Sequence, residues 1–420
     1  MKIAFVAPPY AGHLNTLLFF ARAAQARGHG VEVITGPGKI AQVRALDLPA
    51  HCPPLLENGL LEAIPETPGA TFRNPFRLLS QMRQSVGLLA PLRDHLAARW
   101  TADRPDVVVA DFIALPAGLA AQSLGIPWVT MAAPAFVLET RSGPPSYMGG
   151  LQPGRGTLGR WRDRAGWALM SAAKSALFAL HGAAFRRLGL SRLRPDGTEA
   201  VYSPDAILCP GLREFEFATR WPLEVSFLGP VPFTPETLPT TPGDDPRPRV
   251  LVTFGTHVPW AKARMIAQTR RLATRLPGVQ FEISRGESTR AGDLPEALAP
   301  NVTLRGFIPY TAELPRFDAV IHHGGAGIAT ACLAAGLPQL VCPRDYDQPD
   351  CAARAAHHGL GHRIRRLDSA STAERLAAIL RTAPPGVARM QAAAARYDPE
   401  ALFFARLDAL LSRPECSPCP

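Results

Sequence analysis

Two stretches of the chain combine residue types that can do chemistry at spacings a folded sheet can exploit. In the longer, from Asp318 to Gly361, the apolar triplet Ala319-Val320-Ile321 gives way to His322, His323, Gly324, Gly325, Ala326 and Gly327. That order predicts a strand, a glycine turn and then a helix. Such a turn leaves several backbone N–H groups at the helix start, aimed at one spot with the positive end of the helix dipole, which suits a diphosphate. Gly336-Leu337-Pro338 ends the helix, Gln339-Leu340-Val341-Cys342-Pro343 reads as the next buried strand, and Asp347-Gln348 falls where a parallel strand of an open sheet ends. Ligands of such sheets bind at those carboxyl ends. An acid beside an amide can accept and donate hydrogen bonds to several adjacent hydroxyls, as holding a sugar ring requires. A phosphate site followed by a sugar site implies a nucleotide sugar.

The second stretch opens the chain. Lys2 to Ala7 reads as a strand, Tyr10-Ala11-Gly12-His13 as a loop, and Leu14 to Arg27 as a helix stopped by Gly28-His29-Gly30. Val31 to Thr35 is then a second parallel strand, completing one βαβ unit. No GxGxxG fingerprint occurs here, which argues against a dinucleotide oxidoreductase. The loop offers His13 instead. Pro105 to Asp111 is a further buried strand that ends in an acid and is followed by a helix through Leu124. In a parallel sheet His13 and Asp111 both lie at carboxyl ends and can meet across one crevice, although an acid at this place can also cap the helix that follows.

The elements that position these groups divide the chain in two. Leu228-Gly229-Pro230 closes a first half, and the Pro- and Thr-rich stretch 232–248 lacks any periodicity and reads as a linker. Arg249 to Phe254, Val279 to Ser284 and Val302 to Leu304 read as strands of a second half, with Gly255-Thr256 placing a hydroxyl where it can reach a phosphate. The expected fold class is α/β with two Rossmann-like domains, 1–231 and 249–395, followed by a helix 396–412 returning to the first domain and a tail 413–420. Between Thr140 and Gly197, Trp161, Trp167 and aliphatic residues alternate with Arg160, Arg162, Arg164, Lys174, Arg186 and Arg187. This partly amphipathic basic pattern reads either as an apolar groove whose outer face touches an anionic membrane, or as helices on the core with a solvated basic face.

Composition bounds the function. A chain of 420 residues with 47% hydrophobic content can bury two ordinary cores. The net charge of +10 is spread along the chain, and with lysine confined to Lys2, Lys39, Lys174 and Lys262 the excess is arginine without a dense basic run, so no nucleic-acid partner is expected. The opening apolar run is too short for a signal peptide, and the uncharged run from Phe112 to Leu138 is split by Gly125-Ile126-Pro127. Seven scattered cysteines fit reduced thiols. Cys416 and Cys419 form a lone CxxC pair that cannot make a four-ligand zinc site. The expectation is a cytoplasmic protein, with at most peripheral contact with the inner face of the membrane.

The ordered set His323-Gly324-Gly325, Gly336-Leu337-Pro338, Pro343, Asp347-Gln348 and Gly359-Leu360-Gly361 resembles the donor signature of the family 1 glycosyltransferases. That group includes UDP-glucuronosyltransferases, plant flavonoid enzymes, and bacterial natural-product and carotenoid glycosyltransferases. The resemblance implies the GT-B architecture, two Rossmann-like domains facing across a cleft. It also implies inverting transfer of a hexose from a UDP- or TDP-sugar, UDP-glucose foremost, to a hydroxyl of a lipophilic small molecule, with no metal or other cofactor. His13 would be the general base and Asp111 its partner, with Gly12, Phe112, Trp161 and Trp167 on the acceptor side. His323, the amides of Gly324, Gly325, Ala326 and Gly327, and Thr256 would meet the diphosphate. Phe307 would stack on the base where relatives commonly carry tryptophan, the backbone of Ile308 would pair with the base edge, and Asp347 and Gln348 would hold the sugar.

The chain also departs from the family pattern. Ile328 stands where many relatives bind phosphate through Ser or Thr, Ala331 where a glutamate grips the ribose, and Cys351 where asparagine is often found. These changes leave the nucleotide preference open. Two rival readings are a nucleotide-sugar epimerase of the same fold and a catalytically silent partner protein. The mark expected of the latter is loss of the His-Gly-Gly and Asp-Gln elements, which are intact here.

Overall fold

Short apolar runs without polar alternation make strands covered on both faces, and each half of the chain builds one seven-stranded sheet from them. The computed structural model describes residues 1–412 apart from 68, 73, 141, 223, 232, 234–244, 256–258 and 287–294. Most of the expected linker 232–248, Thr256, and the expected tail 413–420 with Cys416 and Cys419 therefore lie outside the described residues.

The first sheet contains β1 (Lys2–Val6), β2 (Gly30–Ile34), β3 (Ala50–His51), β4 (Val107–Asp111), β5 (Trp128–Met131), β6 (Ala206–Cys209) and β7 (Val225–Phe227). Their order is β3-β2-β1-β4-β5-β6-β7, and every pair is parallel. The second contains β8 (Arg249–Thr253), β9 (Gln280–Ser284), β10 (Glu296–Ala299), β11 (Val302–Arg305), β12 (Ala319–His322), β13 (Gln339–Val341) and β14 (Gly361–Arg363). Their order is β10-β11-β9-β8-β12-β13-β14, with only the edge pair β10–β11 antiparallel among these. Both sheets start in the middle, grow to one side and then reverse. The reversals fall between β1 and β4 and between β8 and β12, and a crevice opens at such points.

The helices that matter to the site are α1 (Ala11–Ala26), α2 (Pro75–Ala102), α3 (Leu115–Ser123), α4 (Gly156–Leu180), α5 (Ala326–Ala335), α6 (Gln348–His357) and α7 (Pro399–Leu411). In α1, Leu14, Leu17, Leu18, Ala21 and Ala24 are buried, a stripe at helical spacing laid on the sheet. The structure adds α2, 28 residues long with Pro91 in its interior, started by the Asn74 side chain accepting from the N–H groups of Phe76 and Arg77.

Among the contacts that join the halves, two are apolar at their centre. Phe136, Leu212 and Phe215 of the first half share one apolar cluster with Ala329, Leu333, Val341, Cys351 and Met390 of the second. Beside it Arg354 pairs with Glu216 at 2.9 Å, both side chains almost fully buried, and the guanidinium lies 4.0 Å from the Phe136 ring centroid. The last helix, α7, crosses back to the first sheet, where Phe403, Phe404, Leu407 and Leu410 join the cluster of Phe5, Leu14 and Phe20. The Phe403 ring stacks on Phe20 at 4.4 Å and on Phe5 at 6.3 Å.

Truncating so central a ring costs about 3–5 kcal/mol in ordinary cores. Phe403→Ala is therefore expected to lower the unfolding free energy by about that much, while Leu402→Ala on the same helix changes it by less than ~0.5 kcal/mol. Denaturant titration of both variants checks this. Equal losses would mean that α7 does not rest on the first sheet by this face.

Candidate active site

Because β1 and β4 pair with Val6 opposite Ala110, the chain leaving β1 and the last residue of β4 emerge at the same carboxyl edge. Tyr10 stays extended after Pro8-Pro9, and the helix begins at Ala11. His13 thus sits in the first turn of α1 rather than in the expected loop. The boundary was shifted because no Ser, Thr, Asp or Asn marks the cap.

The His13 Nδ1 lies 3.0 and 3.1 Å from the two carboxylate oxygens of Asp111, which is buried. Asp111 also accepts the Ile113 N–H at 2.9 Å, ordering the turn out of β4. It does not cap α3, whose cap position is Ala114, so the alternative role for this acid falls away. An ionised carboxylate can only accept, so Nδ1 carries the proton and Nε2 is left as the basic nitrogen. Burial disfavours the imidazolium, but the charge and hydrogen bond of Asp111, with a further contribution from Asp347, outweigh it and raise the His13 pKa above its ordinary value. The Phe112 ring lies 5.4 Å and the Tyr10 ring 5.8 Å from the imidazole, and Gly12 beside it is exposed.

On the other sheet, β12 ends at His322, which is fully buried. Its Nδ1 accepts the Gly324 N–H at 3.0 Å, so Nε2–H donates to Gln339 Oε1 at 2.9 Å. Burial pushes this histidine down to about 4, keeping it neutral. His322 therefore shapes the glycine turn, a role its sequence position beside His323 did not disclose. Gly324 has φ +99°, and a Cβ there would stand 2.9 Å from the Gln348 carbonyl oxygen. The turn is pressed against the start of α6. α5 opens at Ala326 after an extended Gly325, with no side-chain cap and no acid in its first turn, so its leading N–H groups remain for an anion. His323 packs beside Gly255 and Gly325, its ring 6.5 Å from that of Phe254, and Gly327 is exposed.

The Asp-Gln pair is divided in its tasks. Gln348 Oε1 accepts the N–H groups of Arg344 at 2.7 Å and Asp345 at 3.0 Å, which fixes the loop and leaves the amide NH₂ to donate. Asp347 is half-buried; burial lifts its carboxyl to about 6, with its own N–H, His13 and Arg354 pulling the other way. Across the two halves, the charge of Asp347 raises the His13 pKa and that of His13 lowers the Asp347 pKa.

Phe307 follows β11 and is half-buried. The Ile308 side chain is buried among Leu251, Leu314 and Ile328, so only its backbone can serve a ligand. Ile328 and Ala331 lie in that same cluster, and Cys351 lies in the cluster between the halves. All three departures are interior positions in this chain. Trp161 is 67% exposed on α4, and the Trp167 indole N–H donates to the Gly143 carbonyl at 2.9 Å. Neither ring contacts His13 among the described residues.

The chain resembles known proteins over most of its length. Residues 273–401 match the family described as Erythromycin biosynthesis protein CIII-like, C-terminal domain. The chain is 29% identical to 4'-demethylrebeccamycin synthase of Lentzea aerocolonigenes over 387 residues, 87% of this chain and 88% of that one. It is 24% identical to the zeaxanthin glucosyltransferase of Pseudescherichia vulneris over 386 residues, 90% of this chain and 89% of the relative. Among solved structures, the Streptomyces sp. SF2575 glycosyltransferase SsfS6 complexed with thymidine diphosphate superposes with a TM-score of 0.65 at 21% identity, covering 97% of this chain and 99% of that one.

The raised His13 pKa fixes the sign of a pH effect. With the neutral imidazole as the base, kcat/KM is expected to fall as pH drops through that pKa, on an acid limb displaced upward from the ordinary histidine range. Asp111→Asn removes the raising charge and is expected to move the limb to lower pH while lowering the plateau. A limb that stays in place would assign it to another group, such as Asp347.

Proposed function

We propose nucleotide-sugar-dependent, inverting O-glycosylation of an apolar small molecule, a reading supported by the match of residues 273–401 to the Erythromycin biosynthesis protein CIII-like C-terminal domain and by the fold shared with solved glycosyltransferases. Residues 1–231 serve as the acceptor-binding domain and 249–395 as the donor-binding domain. The observation that carries the reading is the His13–Asp111 pair at one carboxyl edge, within electrostatic reach of Asp347 at the other. His13 Nε2 takes the proton of the acceptor hydroxyl as its oxygen attacks the anomeric carbon. The bond from that carbon to the diphosphate breaks on the opposite side, and the electron pair leaves with the diphosphate. Asp111 holds the imidazole tautomer and stabilises the imidazolium. The N-terminus of α5 and His323 stabilise the charge growing on the leaving group. Asp347 and the Gln348 NH₂ orient the hexose, and Phe307 stacks on the base.

The donor is a UDP- or TDP-hexose, with UDP-glucose the first to try. The names of the two relatives support a natural-product or carotenoid acceptor. Exposure of Leu158, Trp161, Leu169 and Leu180 on α4, with Arg160 and Arg164 exposed on the same helix and Arg155 just before it, favours acceptor capture at the anionic inner face of a membrane. No helix among the described residues is long and apolar enough to cross one.

Incubation with UDP-glucose or TDP-glucose and a panel of lipophilic alcohols and phenols, followed by mass analysis, is expected to show an acceptor gaining one hexose. An epimerised sugar nucleotide formed without acceptor would favour the epimerase reading instead. His13→Ala should lower transfer by roughly 10²–10⁴-fold with donor affinity unchanged. For a water-insoluble diol, turnover is expected to rise in anionic vesicles and to fall with added salt as the arginines are screened. Indifference to vesicle charge and salt would remove the membrane element alone.

A further inference from the structure

The loop from β13 to α6 makes a set of contacts that the transfer chemistry does not use. Asp345, 5% exposed, accepts the backbone N–H of Thr71 and, at 3.0 Å, that of Phe72, both in the first half just ahead of α2. Its neighbour Tyr346 holds a left-handed backbone, φ +51°, which a non-glycine residue keeps only where surrounding contacts determine it. That conformation turns its side chain toward the first half. The hydroxyl lies 3.3 Å from both Thr71 Oγ1 and Gln81 Nε2, and the ring meets Phe72 edge-on at 5.5 Å.

A second segment joins this cluster. Phe72 stacks on Tyr147 at 5.6 Å, and the Tyr147 N–H donates to Asp350 at 2.8 Å. Gly150, at φ +81°, backs so closely onto Pro349 that a Cβ would collide with its carbonyl oxygen. Segments 71–72 and 147–150 of the first half are thus fastened to residues 345–350 of the second. Those residues include Asp347 and Gln348, and Gln348 Oε1 itself braces the N–H of Asp345.

We propose that Asp345 and Tyr346 form a clasp that sets the distance between the acceptor-side segments and the donor sugar, making Asp345 a positioning residue for transfer. This rests on the proposed glycosyl transfer. The physical ground is the steepness of reaction with distance: reacting atoms must approach to about 3–3.5 Å, and a misplacement of about 1 Å can cost 10²-fold. A loosened clasp also admits water to the anomeric carbon. Water then attacks in place of the acceptor, releasing free hexose and nucleoside diphosphate, with the proton going to His13 or solvent.

The test uses the full chain with UDP-glucose and a lipophilic phenol that the unaltered protein glycosylates, reading transfer kcat and KM, free hexose released, and UDP affinity by calorimetry. Asp345→Ala is expected to lower transfer kcat by about 10²-fold, to raise the ratio of free hexose to glycoside, and to leave UDP affinity unchanged. Asp345→Asn, which keeps one accepting oxygen, should recover part of the loss, and Tyr346→Phe should show a smaller shift in the same direction. An unchanged kcat and hexose ratio overturns the clasp, as does UDP affinity falling in step with kcat, since the loop would then merely support the donor site. Should Asp345→Ala fail to fold, Tyr346→Phe and Gln81→Leu decide by the same criteria. Absence of transfer by the unaltered protein overturns the proposed function, and the clasp's role with it.

Discussion

Both carboxyl edges owe their chemistry to one constraint, that a parallel sheet opens a crevice only where its strand order reverses. In the first sheet the reversal separates β1 from β4, which puts His13 and Asp111 on its two sides. In the second it separates β8 from β12, which puts Gly255 and His323 together in the same way. The His13–Asp111 pair and the glycine turn ahead of α5 thus occupy equivalent places in two similarly ordered sheets. What differs is the residue that tunes each. Asp111 raises the pKa of His13, whereas burial keeps His322 neutral, bonded to the Gly324 N–H in the turn toward α5.

The two crevices are useful only when they face, and two layers of contact hold them so. At the floor, the cluster of Phe136, Leu212 and Phe215 with Leu333 and Met390 is apolar, and the buried Arg354–Glu216 pair beside it fixes which way the halves meet. An isolated charge in that position would be strongly destabilising, so a rotation that separates the pair is opposed. At the rim the contacts are polar and aromatic, through Asp345, Tyr346 and Tyr147.

The fold class was legible because the strands are continuous apolar runs and the glycine and proline signals punctuate them at short intervals. The Asp318–Gly361 stretch was legible for the same reason, its chemistry being local in sequence. What escaped was non-local or lacked a signal. α2 carries both Gly87 and Pro91 in its interior and buries only Leu92, Leu96 and Trp100, so neither propensity nor periodicity announces it. Asp345 carries no local signal, since the N–H groups it holds lie 273 and 274 positions away. Ile328 and Ala331 read as lost ligand groups, yet here they are core residues, a distinction that only packing can make.

The return of α7 to the first sheet has a consequence for how the chain is made. The core around Phe5, Leu14 and Phe20 is incomplete until Phe403, Phe404 and Leu407 arrive, and these leave the ribosome only after the whole of the second sheet. During synthesis the second sheet can close upon itself as soon as β14 and the helices after it emerge. The first must wait, with the aromatic faces of Phe5 and Phe20 uncovered until the second sheet and the helices after it have been translated. The amino-terminal half, synthesised first, is therefore the last to be finished, and it is the half that a stalled or prematurely terminated chain would present to chaperones and proteases.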